Sequence, residues 1–297
     1  MKQILFSLII IGFTGCLRLD SNLYNSDNTI YEYEWDDYSG EVDFRLDSYY
    51  DILPGKRHLL TLDSKGANDI IPVEIKALYL GDINRISTDT VIMYCHGNRD
   101  HMDFYWQRAK LLANTGSKHQ YGVMMCDYRG FGLSKGEATE EGLYADVDAC
   151  LKWLKNNGLT EDRLIIYGFS LGSAPATELI ANPRTLTPSK IILENPFASA
   201  AVMVADASVL NLPASYFTNL EIDNAEEIKK VDSPFLWMHG RDDDFLNINT
   251  HGEVVYGSHP DENVKFAHRI TGANHGNLPQ VMGYTNYLTA IKDFIQL

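Results

Sequence analysis

Six short apolar runs, at 90–95, 122–126, 164–167, 190–193, 235–238 and 264–269, alternate with helix-period stretches at 102–113, 140–155, 173–181, 226–229, 251–256 and 280–295. Few folds accept such a pattern. The runs are short and continuously apolar, so they belong in a mainly parallel sheet covered by helices on both faces. Two further strand-like stretches, 57–62 and 73–80, flank a turn region holding Gly66, Asn68 and Asp69 and read as a hairpin. The expected class is therefore α/β, with a mainly parallel eight-stranded sheet. In such sheets functional residues gather where loops leave the carboxyl ends of strands.

One of these junctions carries a specific signal. The run ending at Tyr167 feeds into Gly168-Phe169-Ser170-Leu171-Gly172 and then into a helical pattern. This is the sequence form of a nucleophile elbow: the serine sits on a strained strand-to-helix turn, and glycines two positions before and after it leave room for neighbouring backbone. Serine needs a base to take its proton and a third group to hold that base in the right tautomer. By chain order the base follows Ser170, which admits His239, His251, His259, His268 and His275. His275 is favoured, because Thr271-Gly272-Ala273-Asn274-His275-Gly276 is a turn-rich loop between the last strand and the last helix. The acid should close an earlier strand, and 235–238 runs into Asp242, Asp243 and Asp244, with Glu194 as a possible substitute. For a developing oxyanion, Leu171 N–H is one donor. A second is sought in His96-Gly97-Asn98-Arg99, with Asn98 ahead of Arg99 and His96 read as a histidine that braces the loop.

Composition narrows the partners. An apolar share of 45% is ample for a full core, and a formal charge of -15 disfavours nucleic acid and anionic lipid head groups. Cys95, Cys126 and Cys150 are an odd number and show no metal-ligand spacing; Cys95 and Cys126 end apolar runs and read as small buried hydrophobes, so neither a metal nor a cofactor is expected.

The N-terminus is distinct. Lys2 precedes an apolar run at 4–13, shorter than the roughly 20 residues that span a bilayer, and Thr14-Gly15 lead to Cys16. Residues 1–15 read as a signal peptide. Phe13-Thr14-Gly15-Cys16 resembles the bacterial lipobox, which implies lipid attachment at Cys16 and an exported lipoprotein anchored to a membrane of the bacterial cell envelope. Residues 16–51 then form a segment, and 52–297 the catalytic domain. From Asp20 to Asp51, both included, the chain carries ten acidic residues and one basic residue among many aromatics. So many aromatic rings call for partial packing on the domain rather than a solvated tether.

Taken in order, Tyr94-Cys95-His96-Gly97-Asn98, Asp127-Tyr128-Arg129-Gly130-Phe131-Gly132-Leu133-Ser134, Gly168-Phe169-Ser170-Leu171-Gly172, His239-Gly240-Arg241-Asp242-Asp243 and Gly272-Ala273-Asn274-His275 resemble the α/β-hydrolase superfamily. The likeness is strongest to serine-aminopeptidase-like hydrolases and to the α/β-hydrolase-domain protein depalmitoylases. The resemblance covers the chain from about Thr90 onward. It implies an α/β-hydrolase fold, a triad of Ser170, Asp243 and His275, and a structural turn over Asp127 to Gly132. The insertion between Glu194 and Phe235 is short, which implies a minimal lid and a site open to bulky acyl groups. The expected activity is hydrolysis of carboxylic esters or thioesters of a small molecule or an acylated protein. A serine-aminopeptidase-like exopeptidase and a non-catalytic envelope binding module are the alternatives.

Overall fold

The computed structural model describes residues 23–116, 121–207 and 218–297, so residues 1–15 and Cys16 lie outside the described residues. The strand-like runs form one eight-stranded sheet: β1 (Arg57–Ser64), β2 (Val73–Leu80), β3 (Val91–Cys95), β4 (Gly122–Cys126), β5 (Leu164–Phe169), β6 (Lys190–Glu194), β7 (Phe235–Gly240) and β8 (Lys265–Ile270). Their order across the sheet is β8-β7-β6-β5-β3-β4-β2-β1. Only β2 is reversed, pairing antiparallel with both β1 and β4. From β3 the chain builds outward to β4, then crosses back to place β5 on the other flank of β3. The strand order changes direction there, and a crevice opens above the carboxyl ends of β3 and β5.

Every residue of β3, β4 and β5 is buried, and the period of two sorts their side chains onto two faces. Met93, Met124, Ile166 and Ile191 join one apolar cluster; Ile92, Tyr94, Met125, Ile165, Tyr167 and Ile192 join the other. Against the first pack α2 (Glu140–Asn156) and α3 (Ser173–Ala181), through Leu143, Val147, Leu151 and Leu179. On the second lie α1 (Met102–Ala113) and α8 (Tyr284–Ile295), through Trp106, Leu112, Tyr287 and Ile291. Burying each such side chain contributes about 1.5–3 kcal/mol. The helices start where the sequence supplies caps: Thr139 Oγ1 accepts from Gly142 N–H at 3.1 Å, with Glu140 and Glu141 in the first turn of α2.

Two helical expectations need correction, and one helix has no counterpart among them. The stretch 280–295 is two helices, α7 (Leu278–Met282) and α8, because Gly283 takes φ 83° between them. The 226–229 stretch is the end of a one-turn helix, α5 (Asn224–Glu227), which continues as a tighter turn, Ile228–Lys230. A further helix, α4 (Ala200–Ala207), lies after β6, where the sequence offered too short a pattern to separate from loop; α6 (Gly252–Ser258) follows β7.

The acidic aromatic segment packs. Tyr33, Phe44 and Tyr50 are buried in the same cluster as α1. Its polar groups are also committed: Tyr33 OH donates to Asp127 Oδ2 at 2.6 Å, Glu34 and Trp35 amides donate to Asp103 at 2.9 and 2.7 Å, and Asp36 receives Lys110 at 2.6 Å. Among the described residues no helix is long and apolar enough to cross a membrane.

Candidate active site

Ser170 ends β5 and opens a single turn, Ser170–Gly172, that leads into α3. It holds φ 53°, a left-handed conformation that costs a non-glycine residue of order 1–3 kcal/mol and is kept only where the surroundings enforce it. The two flanking glycines do the enforcing. A Cβ on Gly168 would sit 2.6 Å from Gly172 O, and one on Gly172 would sit 2.0 Å from Cys95 O. The turn can therefore press against β3 only if both positions lack a side chain.

His275, in the loop after β8, places Nε2 2.9 Å from Ser170 Oγ and Nδ1 2.7 Å from Asp243 Oδ2. With the proton assigned to Nδ1, the imidazole donates to Asp243 and accepts from the serine hydroxyl. The loop is shaped by its own amides: Asn274 Oδ1 accepts from Gly276 and Asn277 N–H at 3.1 and 3.0 Å, and Asn277 Oδ1 accepts from Asn274 N–H at 2.9 Å. Phe169 and Phe245 flank the ring, at 5.3 and 5.0 Å between centroids.

Of the three aspartates after β7, the structure brings Asp243 to the histidine. Its Oδ1 accepts from Phe245 and Leu246 amides at 3.0 and 2.8 Å. Burial works to raise its pKa. Hydrogen bonds from His239 and His275, the electrostatic interaction with His275 and the Leu246 amide outweigh that, and hold the carboxyl well below the usual carboxylate range. Asp243 is thus ionised at neutral pH. Asp242 instead accepts from Gly272 N–H at 2.8 Å and braces the histidine loop, while Asp244 is exposed.

The other sequence candidates have other partners. His239 is buried, with Nε2 donating to Leu246 O at 3.0 Å and lying 3.4 Å from Asp243 Oδ2, so it sits beside the acid; His251 accepts from Ala198 N–H at 3.2 Å; His259 meets Ser233 O at 3.1 Å. His268 is half-buried on the edge strand, in a separate depression with Phe266 and Phe294. His96 is fully buried, stacked on Tyr105 with ring centroids 4.6 Å apart, as a bracing histidine should be. Glu194 is overturned as a substitute acid, and turn amides do not hold it. It is buried beneath the site with Arg108 Nη1 at 3.0 Å, Tyr287 OH at 2.8 Å and a hydrogen bond from Tyr167 OH.

In the turn after β3, Arg99 N–H donates to Tyr105 OH at 2.9 Å, and both Asn98 and Arg99 line the cleft that holds Ser170. Asn98 O accepts from Asn25 N–H at 2.9 Å, so the acidic segment holds this turn from outside. Ser170 and His275 open into a cleft of about 520 Å³, with Asn98, Phe104, Tyr105 and Phe245 on its walls. Tyr24, Asn25 and Asp43 also line it, and sequence reasoning missed all three. Only the aromatic density of the segment hinted that it packs; nothing local indicated against what. Among the described residues no three His, Cys, Asp or Glu side chains converge as metal ligands.

Comparison with known proteins agrees with this architecture. The family model for serine aminopeptidase, S33, matches residues 86–231. Alpha/beta hydrolase domain-containing protein 17C of Mus musculus is 27% identical over 210 residues, which is 70% of this chain and 60% of that protein. Protein 17B of Homo sapiens is 27% identical over 207 residues, 69% of this chain and 65% of the relative. The chain thus spans less than two thirds of the length of these relatives. An esterase of Pyrococcus furiosus superposes with a TM-score of 0.64 at 16% identity, covering 92% of this chain and 98% of the esterase. A bromoperoxidase from Bacillus anthracis gives a TM-score of 0.58 at 16% identity, covering 81% and 100%. The fold is that of the α/β-hydrolases, and its relatives are hydrolases. Structural neighbours with such different names show the fold and not the reaction.

Proposed function

We propose that this α/β-hydrolase is a serine hydrolase that cleaves carboxylic ester or thioester bonds through an acyl-enzyme on Ser170. The observation that carries the reading is the continuous relay from Ser170 Oγ to His275 Nε2 at 2.9 Å and from His275 Nδ1 to Asp243 at 2.7 Å. Ser170 Oγ attacks the acyl carbon as its proton passes to His275, and ionised Asp243 stabilises the imidazolium. Leu171 and Asn98 amides receive the oxyanion, each donor supplying about 2.7–4 kcal/mol. The acyl C–O or C–S bond then breaks as His275 returns the proton to the leaving group. Water repeats the sequence and releases the acid.

A membrane setting fits the same geometry. Under this reading residues 1–15 are removed on export and Cys16 carries lipid. Cys16 and Leu23 are seven residues apart, a span of at most about 25 Å of extended chain, and Asn25 already lines the cleft. An acylated protein or small-molecule ester at the envelope membrane is therefore within reach of the cleft. Mass spectrometry of the membrane-extracted protein tests the anchor, and a mature N-terminus other than lipidated Cys16 overturns it.

The serine aminopeptidase match supports a second reading, an exopeptidase. Asp43 is a carboxylate on the cleft wall that could meet a free amine, but it is already paired with Arg108 at 3.1 Å, so the ester reading stands first. A panel of aryl esters, acyl thioesters and aminoacyl amides separates the two. Turnover of esters or thioesters by the wild type, abolished in Ser170→Ala, is the expected result; turnover that survives in Ser170→Ala overturns the proposal.

A further inference from the structure

We infer that Asn195 is a positioning residue for the Ser170–His275–Asp243 relay, one side chain that ties the loop of the base to the loop of the acid. The inference rests on the hydrolase reading above.

Asn195 follows β6 directly, between the strand that delivers the serine and the strand that delivers the acid. It is fully buried and holds φ 44°, in the left-handed region that asparagine tolerates better than most side chains. That conformation aims its amide across the top of the sheet. Oδ1 accepts from Gly240 N–H at 2.9 Å, at the start of the turn that ends in Asp243, and Nδ2 donates to the His275 carbonyl at 2.6 Å. Its own N–H donates to Met238 O at 3.0 Å. Every polar group described for the side chain is thus spent on the two catalytic loops, and none on solvent.

The approach is close on both sides. A Cβ on Gly240 would lie 2.4 Å from Ala273 O, so the acid loop and the base loop touch where Asn195 joins them. The next carbonyl of the base loop is held from the same strand end by another route, since Arg108 donates to Gly276 O at 3.0 Å and pairs with Glu194 at 3.0 Å. Glu194 and Asn195 together fix consecutive carbonyls of the loop that presents the imidazole. Asn195 alone also reaches the acid loop. A displaced His275 carbonyl moves a ring that must satisfy two partners at once, and a shift near 1 Å in such geometry costs about a hundredfold in rate.

The experiment compares wild type with Asn195→Gly and Asn195→Asp. Glycine keeps the left-handed backbone and removes both bonds; aspartate keeps the shape and the bond from Gly240 but has no proton to give His275 O while ionised. Ester hydrolysis is measured per active site, titrated with a fluorophosphonate, across pH, together with KM and the thermal midpoint. Expected for Asn195→Gly is a kcat about 10- to 100-fold lower with KM within about twofold, and an acid limb moved to lower pH as the Asp243–His275 bond loosens. Asn195→Asp should match it at neutral pH and narrow its deficit toward acid, as the carboxyl regains a proton to donate. If both variants keep the wild-type kcat per site and pH profile, and only their thermal midpoints fall, Asn195 is structural and the inference is overturned. If Asn195→Gly does not fold, the isosteric Asn195→Asp decides by the same readouts. A wild type that turns over no ester, thioester or amide overturns the hydrolase reading and this inference with it; an active wild type with unchanged variants overturns this inference alone.

Discussion

The Asp43 carboxylate meets the fully buried Arg108 guanidinium at 3.1 Å, and through that pair the acidic N-terminal segment reaches the loop that carries His275. Arg108 lies on α1, stacks over Phe169 at 4.1 Å, donates to Gly276 O and pairs with Glu194. Four separate parts of the chain thus meet at one cation. The segment, which lies outside the matched family model, forms one wall of the cleft that holds Ser170 and His275.

Removing that cation should cost far more than removing its outer partner. Arg108→Met leaves Glu194 buried without its charge partner and should destabilise the fold by about 3–5 kcal/mol. Asp43→Asn, whose side chain is one fifth exposed, should cost about 1–2 kcal/mol. Urea denaturation of both variants checks the order, and equal losses would show that Arg108 is not the hub.

The backbone at the elbow is held against local preference, so under the proposed chemistry Ser170→Gly should trade activity for stability. Relief of the left-handed strain should raise unfolding free energy by about 1 kcal/mol, while hydrolysis falls by at least about a thousandfold. A thermal melt at or below that of wild type would contradict the strain account.

Gly172→Ala should behave in the opposite sense. Its new methyl would stand 2.0 Å from Cys95 O, a backbone atom of a central strand that cannot step aside. A loss of about 3 kcal/mol or more is expected, in the upper range for overpacking, read as a lower denaturant midpoint. Wild-type stability in this variant would mean that the turn does not press on β3.

The depressed Asp243 carboxyl makes a pH-dependent contribution. Its folded pKa lies below the unfolded value near 3.9, so the stabilisation is fully present above that value and is lost as pH falls through it toward the folded one. Thermal midpoints of wild type and Asp243→Asn should differ most above about pH 5, and the gap should shrink progressively as pH falls from about 4 toward about 1. A gap that widens on acidification would reverse the assigned sign.

Sequence showed most of what is local here and little of what is assembled from distant parts. The run 164–167 with its two spaced glycines specifies strand, turn and helix within a dozen residues, and the eight strands follow from the apolar pattern. His275 was separable from four other histidines because its loop is rich in turn residues. Among Asp242, Asp243 and Asp244 no local feature chooses, and the resemblance alone favoured Asp243; the structure shows why the positions differ, since Phe245 and Leu246 amides close on Asp243 while Asp242 turns to Gly272. The break at Gly283 hides within an unbroken helical period. Arg108, Asn195 and Asp43 were invisible as site residues, because each gains its meaning from partners more than forty positions away.

The proposed chemistry rests on Ser170 as the nucleophile and His275 as its base. Intact-mass and peptide mass spectrometry after incubation with a fluorophosphonate tests it most directly. One phosphonyl adduct is expected, on Ser170, formed by the wild type and lost or strongly slowed in His275→Ala. An unlabelled wild type that still hydrolyses esters, or an adduct on another residue, would contradict it.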